Sequence, residues 1–293
     1  MSATPLVARL QLIGSAVLFS TGGAAIKSCQ LTDWQVASFR CAVAGLALVV
    51  LFPAARRALS GRAALVGCAF AGTLIAYSIA NKATTAASAI FLQSTAPLYV
   101  LVLGPFLLGE KTKRRDLLLM VALAGGLALV LMGLNEPLDS APQPMRGATF
   151  GTAAGVFWAL TVLGLRWLES GRDAGRGAGL AAVVLGNAIG FVVALPFALP
   201  VTTFRVDDAW WILYLGLIQI ALAYVLLVSG LRRVPAFEAS LLLLAEPVFA
   251  PLFAWWFHSE VPTLWVIAGG ATILAATTVK TWFDVRKPSP SVS

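Results

Sequence analysis

Apolar runs long enough to cross a bilayer follow one another through this chain with almost nothing between them, which leaves little choice of fold. A bilayer core takes about 20 apolar residues per helix. Ten such segments can be drawn over the 293 residues: 8–26, 34–53, 62–81, 86–108, 115–134, 147–168, 178–199, 209–230, 236–257 and 262–283. The connections are too short to hold a soluble domain. Only 12% of the residues are charged, against roughly 25% in soluble chains, and the mean hydropathy is +0.87. The expected class is an all-α polytopic membrane protein. The first segment lacks a basic leader and a small-residue cleavage site, so it is kept as a span rather than a signal peptide.

Two of the segments share a pattern. AASAIFLQSTAPLYVLVLGPFLLGE (Ala86 to Glu110) matches AFEASLLLLAEPVFAPLFAWWFHSE (Ala236 to Glu260), with Pro97 on Pro247 and Glu110 on Glu260. Ala86, Ala89 and Leu92 recur, while Tyr99 and Phe106 become Phe249 and Trp256. A repeat of five helices returns inverted, because an odd number of crossings leaves the chain on the far side. Inverted repeats related in this way are typical of secondary transporters, whose halves enclose a site near the midplane. The expected units are residues 1–140, with helices one to five, and 141–293, with helices six to ten.

Charge gives the orientation. With the N-terminus inside, 16 Lys and Arg residues fall on the cytoplasmic side; four (Lys27, Lys82, Arg146 and Arg205) fall outside, and Arg40 lies within a helix. Cytoplasmic loops carry the basic excess, so both termini are expected in the cytoplasm. The duplicated stretches concur: KTKRRD (Lys111 to Asp116) after the fourth helix is basic, whereas VPTLWV (Val261 to Val266) after the ninth is not. Trp34, Trp167, Trp210, Trp211, Trp255, Trp256, Trp265 and Trp282 fall near expected helix ends, where indoles settle at the headgroups; Trp158 falls mid-helix.

The net charge of +8 thus has a source in topology, and no nucleic-acid-reading motif accompanies it. There is no G-x-x-x-x-G-K-[ST] loop, which argues against an ATP-driven pump. Cys29, Cys41 and Cys68 are odd in number and lack metal spacing, so neither disulfides nor a metal site is expected. No cofactor is implied, and the single His258 near one surface offers no acid–base pair, so an enzyme is not expected. Small residues four apart, Gly151–Gly155 and Gly186–Gly190, read as close helix packing.

Polar groups at membrane depth are the candidate site, because ionisable side chains there are costly. Glu246, immediately before Pro247, reads either as a carboxyl that fixes the bundle or as a proton-carrying or amine-binding group. Its repeat-equivalent is Ala96, so that role belongs to one half only. Arg40 reads as an ion-pair or snorkelling residue, with contact to a substrate carboxylate as the alternative. Pro97 and Pro247 are expected to kink mid-helix and to act as hinges beside the path. The polar set comprises Ser20 and Thr21, Tyr77, Ser78 and Asn81, Gln93 and Thr95, Trp158 and Thr161, Gln219 and Tyr224. It falls on helices one, three, four, six and eight, with Glu246 on nine, and matches an amphiphilic pocket for a small polar molecule with an apolar part. Ser94 adjoins it. Glu110 and Glu260 are expected to close or tether their helix ends, and Asn187 to make a packing hydrogen bond.

The ten-helix duplication, with each half carrying a P-x12-E helix, resembles the EamA-type drug/metabolite transporter superfamily. LRRVPAFEASLLLLAEPVFAPLFAWWFHSE (Leu231 to Glu260) looks like that family's second repeat, and LFSTGGAAIK (Leu18 to Lys27) with LLGEK (Leu107 to Lys111) like its first. Where the family has Gly-Glu, this chain has Ser259-Glu260. The resemblance implies a basket-like bundle around a central cavity built from helices one, three, four, six, eight and nine. It also implies export of small metabolites, frequently amino acids, from a bacterial inner membrane. The expected function is therefore alternating-access export of neutral or aromatic amino acids, with protons as a candidate coupling ion, by a monomer or weak dimer in the lipid bilayer. Drug, nucleoside and sugar-phosphate carriers and a channel-like facilitator are the alternatives. A nucleotide-sugar carrier would want several cavity-facing basic residues, and only Arg40 is available.

Overall fold

The computed structural model describes residues 5–108, 114–134, 140–170, 177–231 and 242–285. Glu110, Lys111, Lys113, Arg172, Arg176, Arg232, Arg233, Ala236, Arg286 and Lys287 lie outside these. Among the described residues all regular structure is helical.

The helices are α1 (Pro5–Ser28), α2 (Asp33–Leu51), the short α3 (Pro53–Arg57), α4 (Gly61–Ala83), α5 (Ala86–Gln93), α6 (Ala96–Leu108) and α7 (Arg114–Met132). After these come α8 (Pro144–Ser170), α9 (Ala178–Ala198), α10 (Val206–Leu213), a π-helical stretch (Tyr214–Leu222) that runs on into α11 (Ala223–Leu231), α12 (Ala245–His258) and α13 (Leu264–Val285). Seven helical stretches are long and apolar enough to cross a membrane, and Asp116–Met132 and Leu264–Val279 are shorter apolar helices. With α12 these account for the ten expected spans: α1, α2, α4, α5–α6, α7, α8, α9, α10–α11, α12 and α13.

Local chemistry sets the helix starts. Thr32 accepts from Gln35 N–H while the Gln35 side chain accepts from Thr32 N–H, a capping box that opens α2. Ser60 and Thr85 cap α4 and α5 in the simpler way. Each cap satisfies donors that the first helical turn leaves unpaired.

Packing relates the halves. Span three lies on span six and span eight on span one; span two lies on span seven and span five on span ten. Span one also lies on span nine, as span six does on span four. Exchanging each span with the one five places along reproduces the set, which is the pseudo-two-fold relation of an inverted duplication. Glycines allow the closest contacts. A Cβ at Gly269 of α13 would stand 2.6 Å from Gly126 O of α7, and one at Gly67 of α4 3.0 Å from Gly186 N of α9. Gly151 and Gly155 meet Leu92, and Gly190 meets Cys41. The periphery is apolar, with Phe106, Trp256, Val261 and Leu264 at 84%, 75%, 75% and 83% exposure. An apolar surface that continuous needs lipid, since monomeric soluble proteins rarely expose such patches.

Pro97 and Pro247 lie differently from the expectation of mid-helix kinks. The fourth span breaks at Ser94–Thr95 and the ninth turns at Leu244, so the prolines fall in the first turn of α6 and of α12. A missing N–H costs nothing there, because first-turn donors have no intrahelical partner. Thr95 bridges the break: its N–H and its hydroxyl both donate to Leu92 O, at 3.3 and 2.6 Å. The prolines inside helices are Pro105, Pro196 and Pro251.

Candidate functional site

The site is built along α1, where Gly22 and Gly23 present no side chain to their neighbours. A Cβ at Gly22 would lie 2.8 Å from Gln219 Nε2, and one at Gly23 2.8 Å from Asn81 Oδ1 and 3.7 Å from the Tyr77 hydroxyl. The two glycines let α4 and the π-helical stretch bring amide side chains against the backbone of α1. Gln219 Nε2 approaches Phe19 O at 3.5 Å, and Asn81 Nδ2 donates to Tyr77 O at 2.9 Å. Their amide oxygens, Asn81 Oδ1 and Gln219 Oε1, are buried with no hydrogen bond among the described residues. Gln219 lies in the π-helical stretch, and such segments collect at functional positions because the extra residue re-aims side chains.

Aromatic rings close the next layer. Tyr224 of α11 meets Phe19 edge-on at 5.3 Å between centroids and Phe70 of α4 at 5.7 Å. Trp158 packs on the apolar cluster that contains Phe70 and borders Tyr224. Glu246, half-buried in the first turn of α12, lies within electrostatic reach of both Tyr77 and Tyr224. Tyr77 is also within reach of Arg40. The Arg40 guanidinium is buried and donates through Nη2 to Leu74 O at 2.7 Å, while its Nε is unpartnered.

The remaining expected residues divide into two groups. Thr21 joins the site: its hydroxyl donates to Leu18 O at 2.7 Å and shares a 2.8 Å hydrogen bond with the Tyr214 hydroxyl. Ser20, Ser78 and Thr161 are buried, and each donates to a carbonyl four residues back on its own helix, Ala16, Leu74 and Phe157. A hydroxyl so engaged satisfies itself locally. Gln93 and Thr95 sit at the break of the fourth span, where Gln93 Oε1 and the Tyr99 hydroxyl have no hydrogen-bond partner among the described residues.

Sequence reasoning missed Phe19, Phe70, Tyr99 and Tyr214 at the site. The phenylalanines carry no polar signal, and the tyrosines lie outside the polar set that depth and chemistry selected. The adjacent glycines Gly22–Gly23 were the available clue to close helix approach. Among the described residues no cluster of His, Cys, Asp and Glu has metal-ligating geometry.

The EamA-like transporter family model matches the chain twice, over residues 7–132 and 145–281. The chain belongs to the EamA-like transporter family. Each match covers one five-span set, so the EamA-like transporter is duplicated in sequence as well as in packing. Two relatives from Archaeoglobus fulgidus bear the name uncharacterized transporter. One is 29% identical over 203 residues, covering 69% of this chain and 70% of the relative; the other is 27% identical over 211 residues, covering 71% and 72%. A solved crystal structure superposes with a TM-score of 0.62 at 18% identity, covering 96% of this chain and 99% of that one, which shows the shared fold. The protein is a membrane transporter for a small molecule.

Proposed function

We propose that this EamA-like transporter exports neutral and aromatic amino acids across a bacterial inner membrane by alternating access, as a carrier and not an enzyme. The observation that carries the reading is the polar lining gathered on the glycine step of α1, where Gln219 Nε2, Asn81 Oδ1 and the Tyr77 hydroxyl face Gly22 and Gly23, with Glu246 in electrostatic reach of Tyr77. Among the described residues no cation pairs with Glu246, so its carboxylate suits the α-ammonium group of a substrate. Tyr77 stands within reach of both Glu246 and Arg40, which gives the two ends of a zwitterion opposite partners. Phe19, Phe70, Tyr224 and Trp158 supply an apolar surface for the side chain.

The 16-to-four division of basic residues supports an orientation with both termini in the cytoplasm and the end carrying Lys27 outside. Halves 1–140 and 141–293 rock about the breaks before Pro97 and Pro247, and protons returning through Glu246 drive export. Counterflow in proteoliposomes tests the substrate class. Preloaded neutral or aromatic amino acids should accelerate saturable uptake of a labelled one, whereas nucleosides and sugar phosphates should not. If no amino acid competes, this reading fails.

A cationic aromatic drug is the second reading, favoured by the same unpaired carboxylate. Counterflow driven by such cations and not by amino acids would establish it in place of the first.

A further inference from the structure

The end of the bundle that carries Lys27 is held by charged contacts that join the two halves. Lys27 Nζ lies 2.7 Å from Glu260 Oε1, with side-chain exposures of 8% and 1%. Glu260 Oε2 accepts from the N–H of Ala86, the first residue of α5, at 2.9 Å. One carboxylate therefore neutralises the last turn of α1 and caps the half-helix α5. Lys27 also donates to Ser140 O, in the segment leading to α8.

Neighbouring contacts reinforce the join. His258 Nε2 lies 2.8 Å from Ala24 O and 3.2 Å from Ser28 Oγ, both on α1. Ser259, at φ 54°, occupies the left-handed region and ends α12. That turn carries Glu260 out of the helix direction and toward α1 and α5. A non-glycine residue in this conformation is retained where its surroundings over-determine it, and here the buried pair does so.

We propose that Lys27 and Glu260 form the gate of this end: their separation frees α1 from α12 and loosens the hold of Glu260 on the Ala86 N–H at the start of α5, opening a path to the site. The proposal rests on the alternating-access reading above. It fits the physics of a two-state joint, since the desolvation of two buried charges offsets much of their attraction, and on opening both charges regain water. The mechanical link is direct, because α5 ends at the break that contains Gln93 and Thr95, 10 residues or fewer from the gate residue Ala86.

Native Cys29 is a reporter beside the gate. It is 1% exposed, its carbonyl accepts from Lys82 and its sulfur lies 3.4 Å from Asp208 Oδ1. In a Cys41→Ala/Cys68→Ala background reconstituted in liposomes, we expect slow Cys29 labelling by a membrane-impermeant maleimide. Glu260→Gln, which retains an acceptor for the Ala86 N–H, and Lys27→Met should each raise the rate at least tenfold. Conversely, cross-linking a Ser28→Cys/His258→Cys pair in a cysteine-free background with a short bifunctional thiosulfonate should stop counterflow, and reductant should restore it. Labelling unchanged in both single variants, or full counterflow by the cross-linked protein, overturns the gate. The labelling needs no substrate, so a gate that opens while every amino acid fails in counterflow faults the substrate reading alone.

Discussion

Thr21 and Tyr214 share a hydrogen bond of 2.8 Å although 193 positions separate them in the chain. The bond ties α1 of the first half to the π-helical stretch of the second, immediately beside the glycines that admit Gln219 and Asn81. The pair is part-buried between the helices, and the bond helps to fix their relative rotation. Tyr214→Phe removes it and leaves Thr21 bonded to Leu18 O. The expected cost is about 1 kcal/mol, read as a lowered Tm in detergent by scanning fluorimetry. A Tm equal to the parent's would show that the bond fixes nothing.

Glycine contacts give a graded series. Gly269→Ala would bring a methyl within 2.6 Å of Gly126 O and 2.8 Å of Val130 N, both backbone atoms that cannot step aside. Overpacking of this kind costs about 1–3 kcal/mol. Gly125→Ala, one residue from the same joint, meets nothing within 4 Å. We expect poor yield and a low Tm for Gly269→Ala and near-parental behaviour for Gly125→Ala; equal stability of the two would contradict the packing of α7 on α13.

The same logic separates Gly22 from Gly23. A methyl at Gly22 meets the far end of the Gln219 side chain, which can swing away. A methyl at Gly23 meets buried Asn81 and, at 3.0 Å, the Cβ of Ala86. Gly23→Ala should therefore lower counterflow at least fivefold more than Gly22→Ala, at comparable amounts of folded protein by size exclusion. The reverse order would place the close approach elsewhere on α1.

Glu246→Gln keeps the shape and removes the charge. Under proton-coupled export it should abolish accumulation against a gradient while the protein remains folded and monodisperse. If that variant still concentrates substrate in everted vesicles under a pH gradient, Glu246 is not the coupling group.

Cys29 carries a pH prediction. Burial pushes its thiol up from 9.0 to about 11, so at neutral pH it is almost entirely protonated in the folded protein. The neutral form is the one the fold prefers, so the contribution to stability is complete below about 9 and is lost as the pH rises through about 11. In the Cys41→Ala/Cys68→Ala background, maleimide should react with Cys29 far more slowly in the folded protein than after unfolding in dodecyl sulfate, and the rate in the folded protein should climb about tenfold per pH unit up to that value. Equal rates for the folded and unfolded protein at pH 7 would contradict the burial of Cys29.

The sequence alone determined the class and the number of spans, because apolar length is set by bilayer thickness and needs no partner to be recognised. It also carried the duplication, through Pro97 with Pro247 and Glu110 with Glu260. It selected Glu246, Tyr77, Asn81, Gln219 and Tyr224, since polar groups are costly in lipid wherever they fall. Only the tertiary structure decided which of those meet. Ser20, Ser78 and Thr161 look identical to Thr21 in sequence, yet they bond within their own helices while Thr21, besides its bond to Leu18 O, crosses to Tyr214. Whether a hydroxyl turns inward along its helix or outward to a neighbour depends on rotation and distance between spans. Those are set by close contacts such as Gly22 against Gln219. The prolines differ for a related reason: a P-x12-E pattern cannot tell a kink from a restart, and the break at Ser94–Thr95, where Thr95 donates twice to Leu92 O, shows only in three dimensions. Lys27 and Glu260 lie 233 residues apart, and their pairing became visible only once α1 and α12 were side by side.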